Sequence, residues 1–164
     1  MREAVIENPV INSAFVEPGR HFKFDDDGIT DEIAETRRPS AYFIPVAQPK
    51  KKGKQLELGT EWTKDRQRQN DYINEVRAAV GDWRARDYPG ITRTTRRLLE
   101  YWRRPERDRR LFFCQLEAAE TAIYLTECAP KLGKAYLLSR LEEANANANP
   151  GLDRVAFKMA TGSG

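Results

Sequence analysis

The feature that most restricts the fold is the helical spacing of apolar residues in the second half of the chain. From Tyr72 to Trp83, apolar side chains recur at intervals of four, four and three residues, which places them on one face of a helix. Further apolar stripes, turn residues and a Thr cap predict more helices. Helices are predicted over 61–86, 105–128 and 132–144, and a further helix that begins after the cap residue Thr92 is predicted between the first two. We therefore expect a helical region over 59–148.

Residues 1–58 lack this helical period. His21 to Phe24 alternates between polar and apolar residues, Asp25 to Asp27 is typical of a turn, and 29–33 can return as a second strand. The acidic run lacks the alternating ligands and distal Glu of a calcium loop. We therefore predict a β-hairpin, and a fold class that is mainly α with a small β part.

Composition excludes several classes of protein. Of the 164 residues, 32% are charged, and no apolar stretch approaches the ~20 residues of a membrane span. The segment from Met1 to Glu7 carries acidic residues where a signal peptide would be apolar. Cys114 and Cys128 form no CxxC pair. We expect a cytoplasmic protein with no membrane partner, no disulfide framework and no zinc site.

The sequence ends in a candidate phosphate-binding loop. An alternating apolar run over 152–158 predicts a strand, and Thr161, Gly162, Ser163 and Gly164 follow it. Glycines in such a loop let backbone N–H groups face phosphates. The full pattern continues with a Lys and then a Ser or Thr, which suggests that the chain is a fragment. The alternative is a Gly-Ser-Gly linker or cloning scar.

Gln115 is a candidate adenine-binding residue. Its amide offers a donor and an acceptor side by side, which match the N6 and N7 edge of adenine. An aromatic or Arg side chain nearby could supply a stacking surface. A single Gln near a helix start can equally be an ordinary polar residue. Its position upstream of a strand and a glycine loop favours the nucleotide interpretation.

These segments resemble the motifs of one enzyme group. Phe112 to Ala118 (Phe-Phe-Cys-Gln-Leu-Glu-Ala) resembles the Q motif of superfamily-two helicases, and 155–164 resembles their first motif. Met-Ala-Thr-Gly-x-Gly is a familiar form of that motif in restriction-enzyme motor subunits. The blocks 7–13 with 17–22, and 37–40 followed by 42–45, are similar to the opening of type III restriction enzyme R subunits and related DEAD/DEAH-box-like proteins.

The resemblance implies an ATP-dependent DNA helicase or translocase, namely the restriction subunit of a type III restriction-modification system, which hydrolyses ATP and cleaves DNA. It implies ATP and Mg²⁺ as cofactors, and double-stranded DNA and a modification methyltransferase as partners. A RecA-like P-loop α/β domain would begin at 149–164. Gln115 would contact adenine with help from Arg110, and 161–164 would line the phosphates. No catalytic residue or metal ligand is assigned, so we expect the fragment itself to be inactive.

Basic residues are concentrated in two places. The candidate nucleic-acid contacts are Arg93, Arg96, Arg97, Lys50, Lys51 and Lys52. The alternative is a solvated helix face on which Glu100, Glu106 and Asp108 act as ion-pair partners. A second function therefore stays open, a non-enzymatic, arginine-rich helical DNA- or protein-binding module with a Gly-Ser-Gly tail.

Overall fold

A computed structural model describes residues 6–25, 28–43, 47–48, 57–58 and 67–159. This part of the chain is an α+β protein with four α-helices and short antiparallel strand pairs, which confirms the mainly helical fold class. The contact pattern divides the chain into two compact units. The first is Met1–Ser13 with Glu17–Asp71, and the second is Ala14–Val16 with Tyr72–Gly164.

The first unit contains the strands. They are β1 His21–Asp25, β2 Gly28–Ala34, β3 Ala41–Phe43, β4 Ala47–Gln48, β5 Glu57–Leu58 and β6 Gln67–Gln69. The predicted hairpin is confirmed, because β1 pairs with β2 in antiparallel register from His21 opposite Ala34. Gly28 has φ +124°, a conformation that favours glycine. In the same unit β3 pairs with β6, and β4 pairs with β5.

The second unit contains the helical core. Its elements are α1 Asp71–Ala85, α2 Arg93–Trp102, α3 Phe113–Ile123, a π-helical segment Tyr124–Cys128 and α4 Ala135–Ala148. The predicted apolar stripe of α1 is buried, with Val80 and Trp83 fully enclosed. Trp83 lies against Tyr88 and Tyr124 at ring-centroid distances of 4.8 and 5.4 Å. Burial of this stripe is therefore what holds the helices together.

Four predicted helix boundaries were wrong. The helix predicted from 132 begins at Ala135. The helix predicted from 61 begins at Asp71 in the described residues, because Gln67–Gln69 form a strand and 61–66 lie outside the description. The helix predicted from 105 begins only at Phe113, since 106–110 contain no apolar residue to bury. The last helix continues to Ala148 where a polar connection was predicted. Its alanines favour helix strongly enough to offset the intervening asparagines.

The strand predicted over 152–158 is not formed. Residues 152–159 carry no regular secondary structure, and their apolar side chains are 41–50% exposed. An isolated strand has no neighbouring strand to hydrogen-bond its backbone N–H and C=O groups. No described strand pairs with this segment. Thr161, Gly162, Ser163 and Gly164 lie outside the described residues, as do Lys50, Lys51 and Lys52.

Candidate nucleotide-base site and arginine surface

Gln115 lies in the first turn of α3, where its side chain caps the helix. Its Oε1 accepts a hydrogen bond from the backbone N–H of Phe112 at 2.9 Å. Phe112 has no side-chain acceptor to return the bond, so only the Gln half of a capping box forms. Within the described residues, the Nε2 of Gln115 donates no hydrogen bond. The cap therefore fixes the amide and leaves its donor available.

A second chain segment packs against the start of α3. The backbone N–H of Phe113 donates to the carbonyl of Ala14 at 2.7 Å. The ring of Phe15 lies 5.5 Å from that of Phe112, and the guanidinium of Arg110 lies 4.4 Å from the Phe15 ring centroid. We call Phe15, Arg110, Phe112 and Gln115 the base cluster.

The base cluster unites Gln115 and Arg110, both candidates from the sequence, with an aromatic residue that sequence reasoning missed. Phe15 is separated from Arg110 by most of the chain, and no motif in the sequence marked it. Its side chain is 40% exposed, so part of the ring faces solvent. An exposed ring beside a guanidinium can stack on a planar base.

A buried charge network lies beneath α3. The carboxylate of Glu120 is fully buried and accepts bonds from Nε and Nη2 of Arg84 at 2.8 and 2.7 Å. The hydroxyl of Tyr88 donates to its other oxygen at 2.6 Å. Arg103 in turn donates to the Tyr88 hydroxyl at 2.8 Å. The network ties α1 and α3 to the segments on either side of α2.

Tyr88 has an altered pKa and an unusual backbone. Burial above all, and then the hydrogen bond and charge of Glu120, raise the pKa of its hydroxyl, despite Arg103 and Arg84 nearby. Asp87 and Tyr88 have φ values of +57° and +56°, which are uncommon for residues other than glycine. The turn therefore holds local strain while it directs Tyr88 into the core.

The π-helical segment supplies a second anchor for α2. Thr92 caps α2 by accepting from the N–H of Thr95 at 3.2 Å. Glu127 accepts from the N–H of Thr92, and its other oxygen accepts from the Thr95 hydroxyl at 2.8 Å. Burial raises the pKa of Glu127, but the hydrogen bonds from Thr95 and Thr92 outweigh it and lower the pKa overall. The backbone N–H groups of Thr92 and Thr95 at the start of α2 thus have acceptors within the helical unit.

The arginines of α2 differ in their surroundings. Arg96 pairs with the carboxylate of Asp87 at 3.1 Å and donates to its carbonyl at 3.0 Å. Arg93 and Arg97 are exposed and carry no ion pair with any described residue. The acidic residues considered as their partners make no ion pair among the described residues either; these are Glu100, Glu106 and Asp108.

The described residues hold no group of three or more His, Cys, Asp or Glu side chains that could bind a metal ion. None of their helices combines the length and the apolarity that crossing a bilayer requires. Comparisons with protein-family models, curated proteins and solved structures found no match to the chain.

Proposed function

We propose that this chain is the N-terminal part of an ATP-dependent DNA helicase or translocase. The motifs resemble those of the restriction subunit of a type III restriction-modification system, which would hydrolyse ATP with Mg²⁺, cleave DNA and work with a methyltransferase. The observation that carries the proposal is the base cluster, in which Gln115, Arg110 and Phe15 meet at the start of α3. The RecA-like domain beginning near 149 belongs to the same proposal.

The chemistry of the base cluster suits adenine. The Oε1 of Gln115 has two lone pairs and gives one to the Phe112 N–H, so a second remains for the adenine N6 amino group. Its Nε2 can donate to N7 at the same time. Guanine presents an acceptor at O6 where adenine presents a donor, so the same amide placement would disfavour it. Arg110 or Phe15 supplies the stacking face.

The proposal is tested by nucleotide titration of the ¹⁵N-labelled 164-residue chain, with ATP and GTP compared under the same conditions. We expect ATP to shift the amide signals of 112–116 and GTP to leave them nearly unchanged. The informative variant is Gln115→Glu. A carboxylate still accepts the Phe112 N–H and suits a helix N-terminus, but it cannot donate to N7.

Gln115→Glu should therefore keep the helical circular-dichroism signal and lose the ATP response. Phe15→Leu should keep the cap and weaken ATP binding by about 5- to 150-fold, the range expected for loss of one stacked base. Equal responses to ATP and GTP would contradict the proposal, and so would an unchanged ATP response in Gln115→Glu.

A second candidate function is a non-enzymatic, arginine-rich binding module. Arg93 and Arg97 favour it, since they are exposed and make no ion pair with a described residue. Such a module would bind an anionic partner and show no preference between ATP and GTP. The nucleotide titration thus separates the two candidates directly.

A further inference from the structure

The outward side of α2 carries more positive charge than the described residues neutralise. Residues 93–110 contain eight arginines and three acidic residues. Arg96 is the one arginine of this segment with an ion pair to a described residue. We call Arg93, Arg97 and Arg104 the arginine surface. All three are exposed; Arg93 and Arg97 lie four residues apart on one face of α2, and Arg104 follows just beyond the end of the helix.

An open pocket of about 470 Å³ adjoins the arginine surface. Its lining includes Arg103 and Arg104, the acidic residues Asp87 and Glu100, and the buried Tyr88 and Leu99. Arg103 is fixed there by its bond to the Tyr88 hydroxyl at 2.8 Å and by its position 5.3 Å from the Tyr88 ring centroid. A guanidinium has five N–H donors, so others remain to meet an anion.

These charges do not stabilise α2. The first turn holds no acidic residue, while Arg93 and Arg96 lie near the helix N-terminus, whose dipole repels cations. The N–H of Thr92 at that end is already bonded to Glu127, and the N–H of Thr95 to Thr92. Arg93, which makes no ion pair with a described residue, therefore lies against the dipole of α2, and an anionic partner would relieve that repulsion.

The aromatic residue on this side favours a duplex over a single strand. Tyr101 is 48% exposed, but the guanidinium groups of Arg107 and Arg104 lie 4.5 and 5.9 Å from its ring centroid. Proteins that hold single strands use open aromatic faces on which bases stack. Two guanidinium groups lie near the Tyr101 ring, against one near the Phe15 ring, so cations rather than an aromatic face meet a nucleic acid here, which suits contact with phosphates.

We propose that the arginine surface binds the phosphate backbone of double-stranded DNA without reading its sequence. The choice of DNA as the polyanion rests on the proposed function, whereas the arginine arrangement does not. Arg96 is excluded from the contacts because Asp87 holds it.

The test measures binding of the 164-residue chain to a short, labelled, mixed-sequence DNA duplex by fluorescence anisotropy, without nucleotide. Three phosphate contacts contribute a slope of about −2.7 to the plot of log affinity against log salt. The variant Arg93→Gln/Arg97→Gln/Arg104→Gln should lose this slope. Its affinity loss between about 50 and 200 mM KCl should then be about 40-fold smaller than that of the unaltered chain.

Two matched variants keep the result interpretable. Arg86→Gln/Lys134→Gln/Arg154→Gln removes the same charge from exposed residues of the same unit, and should keep the slope. Replacing the three surface arginines by lysine keeps the charge, and should keep most of the slope. Circular dichroism of each variant confirms that the helices are retained.

The proposal is overturned if the glutamine variant of the arginine surface keeps the salt slope. It is also overturned if the control variant loses as much of the salt slope as the glutamine variant does. It is also overturned if single-stranded DNA or duplex RNA binds more tightly than duplex DNA. Because no nucleotide is present, failure here is distinct from failure of the adenine test. Conversely, Gln115→Glu should leave the DNA salt slope unchanged.

Discussion

Replacing Glu120 by glutamine should destabilise the helical unit severely. Glu120 is fully buried and accepts two hydrogen bonds from Arg84 and one from Tyr88. A glutamine in the same place can accept from Arg84 with its single oxygen, but its amino group faces the Tyr88 hydroxyl. The Tyr88 proton then loses its acceptor, and Arg84 loses its closest counter-charge.

The magnitude follows from these losses. Breaking a buried ion pair by removal of one partner costs about 3–5 kcal/mol. Glu117, 4.0 Å from Arg84, supplies some compensation. We therefore expect Glu120→Gln to lower the free energy of unfolding by about 3 kcal/mol, which corresponds to a fall in Tm of about 10 °C.

The assay is urea unfolding, with hydrogen exchange of the α1 and α3 amides to report on the helical unit specifically. The control is Glu75→Gln, which breaks an exposed pair with Arg140 at 3.1 Å and should cost at most about 1 kcal/mol. The double variant Arg84→Met/Glu120→Leu should recover most of the loss, since an apolar pair leaves no buried charge. Equal costs for Glu120→Gln and Glu75→Gln would refute the reasoning.

Three further predictions concern the anchors of α2. The pKa of Tyr88 is raised above 10.0 by burial and by Glu120, so its contribution to stability is complete below about pH 10 and is lost as the pH rises through the raised pKa. Tm should fall steeply above about pH 10, and Tyr88→Phe should make that fall shallower. The pKa of Glu127 is lowered below 4.5, so its contribution is present above about pH 4.5 and disappears as the pH falls through the lowered value. An acid titration of Tm should show this loss, and a Glu127→Gln variant with the same acid slope would contradict it. Thr92→Ala removes the cap of α2 and should cost about 1 kcal/mol in urea unfolding, whereas Thr92→Ser should be nearly neutral.

Helix content could be predicted because it depends on local spacing. The stripe from Tyr72 to Trp83 predicted the buried face of α1, and Thr92 was correctly identified as a cap. Helix ends were harder to place, because a polar stretch can either continue a helix or leave it. The Asn/Ala run before Asn149 was predicted as a connection and is helical.

For the candidate sites too, features that depend on neighbouring residues could be predicted, and contacts between distant residues could not. Gln115 could be selected from its motif. The apolar pattern also predicted that it lies near the start of a helix. Its partner Phe15 could not be selected from the sequence, because no local pattern links residues that lie so far apart in the chain. The concentration of arginines was evident from the sequence, but only the structure separates Arg96, held by Asp87, from Arg93 and Arg97, which pair with none of the described acidic residues.

The sequence by itself therefore determined the helical periodicity, one helix cap, the hairpin and the clustering of positive charge, since each depends on residues close together in the chain. Tertiary structure decided which polar groups are buried and what they bind. In the sequence, nothing distinguishes Glu120 from the other polar residues of the helices. In the structure, packing of α1, α3 and the Tyr88 turn encloses it completely. Desolvation depends on all the elements that surround a group, and their arrangement is not encoded in any one local segment.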